Sequence, residues 1–422
     1  MTRRLLALTT VAILAVGLTL TFDLHAQRAP SRTWITAWGT SQNGLATNPI
    51  TNATVRMIGR VTIPGDAVRI RLDNTFGQSP VTIGKGSVGL RIQGAAVAAG
   101  SNHPLSFGGS VSVVIPVGGS IVSDPVSITV LAGQDLAVSL YVPGENVRPS
   151  QHSGAVVTSY MSASGSGDVT AEDGGTRFSV NTTSMFWLKA IDVLSSSATG
   201  AIVAFGDSIT DGTCATLDAN NRWEDWVAVR AQLAAESDGH AGAHKAIVNE
   251  GIGGNTVTRD VQPPPDSPPG VDRLDRDVLS HVGTTHVVLF MGTNDIRRNA
   301  PASQVIGGLQ DIITRLKARG LEVIGVTIIP RHNVPPSGTN TGWDGSKTQI
   351  RHEVNEWIRT KAAFDGVIDF DRVVRDPANA DLMAPPFNCG DGIHPSPRGY
   401  YEMGKAVRLD LFKEGLVPAA LR

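Results

Sequence analysis

Ala201-Ile202-Val203-Ala204-Phe205-Gly206-Asp207-Ser208 is the stretch whose reading decides the fold. Five apolar residues in a row, entered from a polar segment and stopped by glycine, form the pattern of a short buried strand. Similar runs recur at Ala246 to Asn249, His286 to Met291, Glu322 to Ile328 and Val367 to Phe370. Between them lie helical stripes: Val305, Ile306, Leu309, Ile312, Ile313 and Leu316 share one face, and Ile350, Val354, Trp357 and Ile358 share another. This alternation predicts right-handed crossovers and a parallel sheet covered on both faces, with ligands held beyond the carboxyl ends of the strands. Residues 200–418 are read as this α/β domain.

Upstream the period differs. From Trp34 to about Val193, short runs rich in Val, Ile and Thr are broken by Gly, Pro, Asn and Asp every ten or so residues, which predicts an all-β sandwich over residues 33–194. Its clearest strands are Arg56 to Ile63, Ala67 to Asp73, Ser110 to Val117, Val126 to Val130 and Leu136 to Val142, with a turn at Pro64-Gly65-Asp66. Ser162 to Thr176 reads as an exposed loop, and Ser195 to Gly200 as the linker between the two domains.

A chain of 422 residues with 41% hydrophobic content can build two cores. Lys+Arg 36 against Asp+Glu 38 gives a formal charge of -2, so no basic field draws it to nucleic acid or anionic lipid. Residues 1–26 carry Arg3 and Arg4, an apolar stretch from Leu5 to Phe22 and a small residue at Ala26, the pattern of an export signal cleaved before Gln27. A membrane anchor is the alternative reading, and the arginine pair also partly matches a twin-arginine signal.

Four segments carry the chemistry: Gly206-Asp207-Ser208, Gly251-Ile252-Gly253-Gly254-Asn255, Gly292-Thr293-Asn294-Asp295 and Asp391-Gly392-Ile393-His394-Pro395. Each alone has a bland reading, as an N-cap, a flexible turn, an Asx turn or a structural histidine. Together they supply a serine nucleophile, a base, a carboxylate and oxyanion donors, three after successive strands and one before the last helix. A serine hydroxyl needs a base within hydrogen-bond reach. Asp391, three residues before His394, can take one imidazole nitrogen on a tight turn while the other faces Ser208. The Ser208 amide, the Gly254 amide and the Asn294 side-chain NH2 are donors that can be fixed before negative charge develops. If these segments converge, so do Cys214 and Cys389, and an oxidising compartment favours a bridge between them over two free thiols. In the chain-entropy account such a bridge stabilises by up to roughly 4 to 5 kcal/mol.

These blocks resemble the GDSL or SGNH hydrolase family, whose Ser, Gly, Asn and His fall in the order Ser208, Gly254, Asn294, His394. The likeness covers roughly residues 200 to 415, with Ile209 in place of the leucine of the family name. It implies a flavodoxin-like three-layer α/β fold and an ester hydrolase with Ser208, Asp391 and His394 as catalytic residues and Ser208, Gly254 and Asn294 as the oxyanion hole. The Trp34 to Val193 portion looks like the all-β N-terminal region of some large secreted bacterial members.

No metal or cofactor is expected, since His240, His244, His281, His286, His332 and His352 lack ligand spacing. Trp223 and Trp226 are read as opening a core-facing helix, and Arg398 to Phe412 as the last helix. The polar segments Thr256 to Asp277 and Pro330 to Lys347 are expected to rim the site, which favours short acyl chains or acetylated polysaccharide over long-chain lipid. Asp207 and Trp343 are candidates for that rim, Trp343 as a sugar-stacking surface weighed against packing on its own domain. The partners expected are a small ester or an acylated polysaccharide. The rival readings are a carbohydrate-binding surface protein with an inactive hydrolase scaffold, and a thioesterase or peptidase using the same triad.

Overall fold

Alternating burial along single strands explains the first half of the chain. In Val126–Val130, the three aliphatic residues are buried while Ser127 and Thr129 face solvent. A computed structural model describes residues 32–238, 244–263, 267–338 and 340–413, and the expected export signal lies outside them. Two larger antiparallel sheets dominate this strand-rich region, beside a three-stranded sheet that includes Ser150–His152 and a two-stranded one. Of the larger two, one runs β1 (Thr33–Gly39), Leu188–Ser195, Gly65–Asp73 and Ser120–Val122, with Val126–Val130 also on Gly65–Asp73. The other centres on Ala53–Arg60, Asp135–Val142 and Lys85–Gln93, paired in a continuous register from Asp135↔Arg60 to Val142↔Ala53 and from Leu136↔Leu90 to Tyr141↔Lys85. The link between Ala53–Arg60 and Gly65–Asp73 is centred on residues 61–64, because Gly65 already belongs to the second strand. Of the predicted run Ser110 to Val117, only Val113–Ile115 is strand.

The second half forms a parallel sheet in the spatial order Lys245–Gly251, Gly200–Gly206, Thr284–Phe290, Glu322–Val326, Gly366–Ile368. We call the first three of these, in chain order, β2 (Gly200–Gly206), β3 (Lys245–Gly251) and β4 (Thr284–Phe290). The sequence of neighbours reverses at β2, which makes a crevice at the carboxyl edge. Burial on both faces follows the two-residue period. Ala201, Val203 and Phe205 join one hydrophobic cluster while Ile202 and Ala204 join another, and Val287 and Val288 divide the same way.

Each face is covered differently. One packs against helices Trp223–Asp238 and Pro397–Ala406 through Trp223, Val227, Tyr400 and Met403. The other shares its cluster with helices Ala302–Lys317 and Gly345–Thr360 and with Ile35 and Ala37 of β1. The strand-rich region therefore packs against the sheet directly: the Thr36 amide donates to Val282 O at 2.9 Å, and the Ile247 amide donates to Thr62 Oγ1 at 2.9 Å.

That seam contains charge. Lys189 Nζ lies 2.8 Å from Glu250 Oε2 and 2.9 Å from Asp277 Oδ1, all three side chains being essentially unexposed. Arg273 and Arg276 complete the group, at 3.1 and 2.7 Å from Asp277 Oδ2. Burial alone would push Asp277 up, yet the charges of Arg276, Lys189 and Arg273 hold it well below the usual carboxylate range. A buried group this connected resists the removal of any one partner.

The last helix stops at Ala406, short of the predicted Phe412, where Leu409–Phe412 forms a separate turn. A tertiary contact accounts for the break. Arg230 Nη1 donates to the carbonyls of Gly404 and Val407 at 2.8 and 2.6 Å, taking acceptors that a continuing helix would have used.

Candidate active site

Three strands end level with one another, Gly206 opposite both Gly251 and Phe290, so the segments that follow open at one edge. After β2, Asp207 caps a four-residue helix, Ser208–Asp211, by accepting from the Ile209 amide at 3.0 Å. Gly212 ends it in a left-handed conformation, φ 102°. Gly251 lets this turn approach β3, since a Cβ there would collide with the Asp211 amide.

Ser208 Oγ is 2.8 Å from His394 Nε2, and His394 Nδ1 is 2.5 Å from Asp391 Oδ2. A carboxylate only accepts, so Nδ1 carries the ring proton and Nε2 is left as acceptor for the serine hydroxyl. The other Asp391 oxygen accepts from the amides of Ile393 and His394, both at 2.8 Å. Partial burial would raise the Asp391 pKa, but the side-chain and amide donors of His394 outweigh it and bring it to about 2. The turn is braced on all sides. Cys389 N donates to His394 O at 3.0 Å, Asn388 Oδ1 accepts from the amides of Gly390 and Gly392, and His332 N donates to Gly392 O at 2.9 Å. Cys214 and Cys389 are bonded to each other, which ties the serine loop to the histidine turn.

A cavity of about 260 Å³ opens beside Ser208 and His394, lined also by Thr213, Gly253, Gly254, Asn294, Arg297 and Ile393. Gly254 adopts φ 73°, open to glycine at little cost. Asn294 is buried and donates one side-chain N–H to Asn255 O at 2.9 Å, which fixes the amide and leaves its second N–H for the cavity. The loop after β3 is held along its length. Gly253 N donates to Asp211 Oδ2 at 3.1 Å, Asn255 Oδ1 accepts from Arg273 Nε at 2.8 Å, and Asp295 accepts from the amides of Val257 and Thr258 at 2.9 and 3.0 Å. Burial raises Asp295 to about 6.

The structure thus brings Ser208, Gly254, Asn294, Asp391 and His394 to one place. Two expectations for the rim are corrected. Asp207 is 1% exposed, its side chain turned inward as the helix cap, with a pKa raised to about 6 by burial. Trp343 is 3% exposed, with Nε1 donating to Thr348 Oγ1 at 3.0 Å and the ring beneath the Arg331 guanidinium. Neither can touch a ligand as placed. Among the described residues, the segments 256–277 and 330–347 supply no part of the lining; the second stands behind the histidine turn through His332. Thr213 and Arg297 line the cavity from outside the four segments, and Gly253 and Ile393 from within them. Arg297 had a signal, lying one helical turn after Asn294.

Residues 204–401 match the model of the GDSL-like Lipase/Acylhydrolase family. No curated protein matches the chain. Among solved structures, the chain is similar to the carbohydrate acetylesterase Est24 from Sinorhizobium meliloti, at 20% identity and a TM-score of 0.39 over 50% of this chain and 97% of that one. A GDSL-like lipase from Bacteroides thetaiotaomicron VPI-5482 is similar at 18% identity and a TM-score of 0.36, over 50% of this chain and 88% of that one. With the family match set beside the geometry, residues 204–401 are a GDSL-like lipase/acylhydrolase domain, a carboxylic ester hydrolase.

Proposed function

We propose that this chain is an exported serine esterase that removes short acyl groups, acetyl groups on carbohydrate among them, through an acyl-enzyme. Ser208 Oγ attacks the ester carbonyl as its proton passes to His394 Nε2. The carbonyl π electrons move onto oxygen, where the Ser208 and Gly254 amides and the free N–H of Asn294 receive the charge. Collapse expels the alcohol, which takes the proton from His394, and water then repeats the sequence on the acyl-serine to release the acid. Asp391 keeps the proton on Nδ1 and stabilises the imidazolium.

The observation that carries this reading is the unbroken chain Ser208–His394–Asp391, at 2.8 and 2.5 Å, opening into the cavity lined by Gly254 and Asn294. The cavity's modest volume favours a short acyl group. Export is supported by the apolar leader behind Arg3 and Arg4, and by a disulfide between the two catalytic loops, which an oxidising compartment would preserve. No helix of the described residues is long and apolar enough to cross a membrane. Residues 33–194 and 200–418 are taken as two domains sharing the buried seam.

Ser208→Ala is expected to lower release of p-nitrophenol from its acetate ester by on the order of 10⁴-fold or more, with unchanged circular dichroism. Retained turnover in that variant sinks the reading. A panel of esters and thioesters varied in acyl length then separates short-acyl esters from the thioesterase alternative.

A further inference from the structure

Asp211 is the third residue after the nucleophile, and the proposed mechanism leaves it without a role. Its two oxygens face opposite ways. Oδ2 accepts from the Gly253 amide at 3.1 Å, one residue before Gly254. Oδ1 lies 3.0 Å from Nε2 of His152, a residue of the strand-rich region that is 2% exposed. His152 Nδ1 is 2.6 Å from the Ser41 carbonyl oxygen, which can only accept, so Nδ1 carries a proton. A proton on each ring nitrogen, one for the Ser41 carbonyl and one for Asp211 Oδ1, makes His152 an imidazolium. Burial works against that charge, while Asp211 and its hydrogen bond favour it more strongly, so the His152 pKa is raised.

One carboxylate thus links three things: the turn that carries Ser208, the loop that carries Gly254, and an imidazole reaching in from the other half of the chain. Ser41 adds a second tie from the same side, donating to Glu250 Oε2 at 2.5 Å and accepting from Arg273 Nη1 at 3.0 Å. Arg273 in turn donates to the carbonyls of Gly206 and Glu250, the residues just before the serine turn and the glycine loop.

We propose that His152 is a positioning residue of ester hydrolysis, holding Asp211 so that the Gly253–Gly254 amides and Ser208 keep the spacing that the oxyanion requires. Without it, Oδ1 of the buried Asp211 has lost its partner, with the Arg222 charge as the competing attraction. The loop then follows whichever way Asp211 turns, and a displacement of about 1 Å at an oxyanion donor is worth on the order of 10²-fold in rate. The inference rests on the serine-esterase reading for its chemistry.

Two near-isosteric changes divide positioning from mere packing. His152→Gln keeps a donor where Nε2 stands and gives up the Ser41 bond; His152→Asn keeps the Ser41 donor and gives up Asp211. The rate of Ser208 labelling by a fluorophosphonate, in which the serine oxygen bonds phosphorus as fluoride leaves, needs no natural substrate. The full chain carrying His152→Asn, and likewise His152→Ala, is expected to label about 100-fold more slowly. His152→Gln should stay within severalfold of the parent, and all three should show kcat for p-nitrophenyl acetate falling in step with labelling at nearly constant KM. Val88→Ala, a cavity in the same region's core, should lower the unfolding midpoint without slowing labelling. Equal labelling by the Asn and Gln variants would overturn the proposal, as would slowing that Val88→Ala reproduces. A parent that labels readily but hydrolyses no ester would overturn the esterase reading alone, leaving the Asn-to-Gln labelling ratio to decide the role of His152. A parent that does not label at all would overturn both.

Discussion

The histidine turn and the glycine loop stand on either side of the same serine, yet they are held in different ways. Residues 388–396 are braced by bonds that close within ten residues, by one disulfide, and by the His332 amide, and Asp391 keeps 38% of its side chain in solvent. Residues 250–258 are braced by buried side chains from other elements: Ser41 and Lys189 on Glu250, Asp211 on Gly253 and Arg273 on Asn255, with His152 behind Asp211 and Asp277 behind Lys189. A local brace is cheap to alter without unfolding the protein. A distant buried one couples the reaction centre to the stability of the whole.

The largest effect that would test this contrast is Asp391→Asn. It should lower kcat by on the order of 10⁴-fold, through the wrong imidazole tautomer, and leave the denaturant midpoint almost where it was. If the midpoint falls substantially, the turn is not locally supported. Next is Lys189→Met, which strands Glu250 and Asp277 as buried anions short of a partner. It should cost about 3 to 5 kcal/mol in unfolding free energy measured by urea titration, and slow Ser208 chemistry through the displaced loop. A loss under about 1 kcal/mol, the scale of an exposed pair, would erase the distinction.

The smallest effect is a pH slope. Glu224 is buried, with Oε1 beside Arg222 and Asn249 and Oε2 unpartnered, and burial outweighs the Arg222 charge and pushes its pKa up to about 8. The folded chain then keeps a proton that the unfolded chain has lost, so this group's contribution is full at low pH and is lost as pH rises from the unfolded value towards about 8. Glu224→Gln mimics the protonated form, and the unfolding free energy measured between pH 5 and 8 should decline less steeply in it than in the parent. A parallel pair of curves would show that Glu224 titrates normally.

The contrast also explains what could be read from the sequence. Asp391 and His394 sit three apart, and Ser208, Gly254 and Asn294 each follow an apolar run, so their convergence was legible from spacing and period. His152 and Asp211 are 59 positions apart, and Ser41 and Glu250 209, with no pattern to join them, and only the packed fold pairs them. The misread residues share one cause. Asp207 and Trp343 belong to loop motifs that suit exposed sites, but capping drew the first inward and the Arg331 and Thr348 contacts drew in the second. The early end of the last helix is the same effect, with Arg230 overriding a good local pattern.

β2, β3 and β4 are neighbours that stop in step. Because side chains alternate along a strand, inserting one residue into β2, β3 or β4 would advance its functional segment by about 3.3 Å and turn its buried set to the wrong face. The surface crossings between these strands tolerate added length at little entropic cost. Variation in chain length across such proteins should therefore gather in the connections, while the three strands keep their count to the residue.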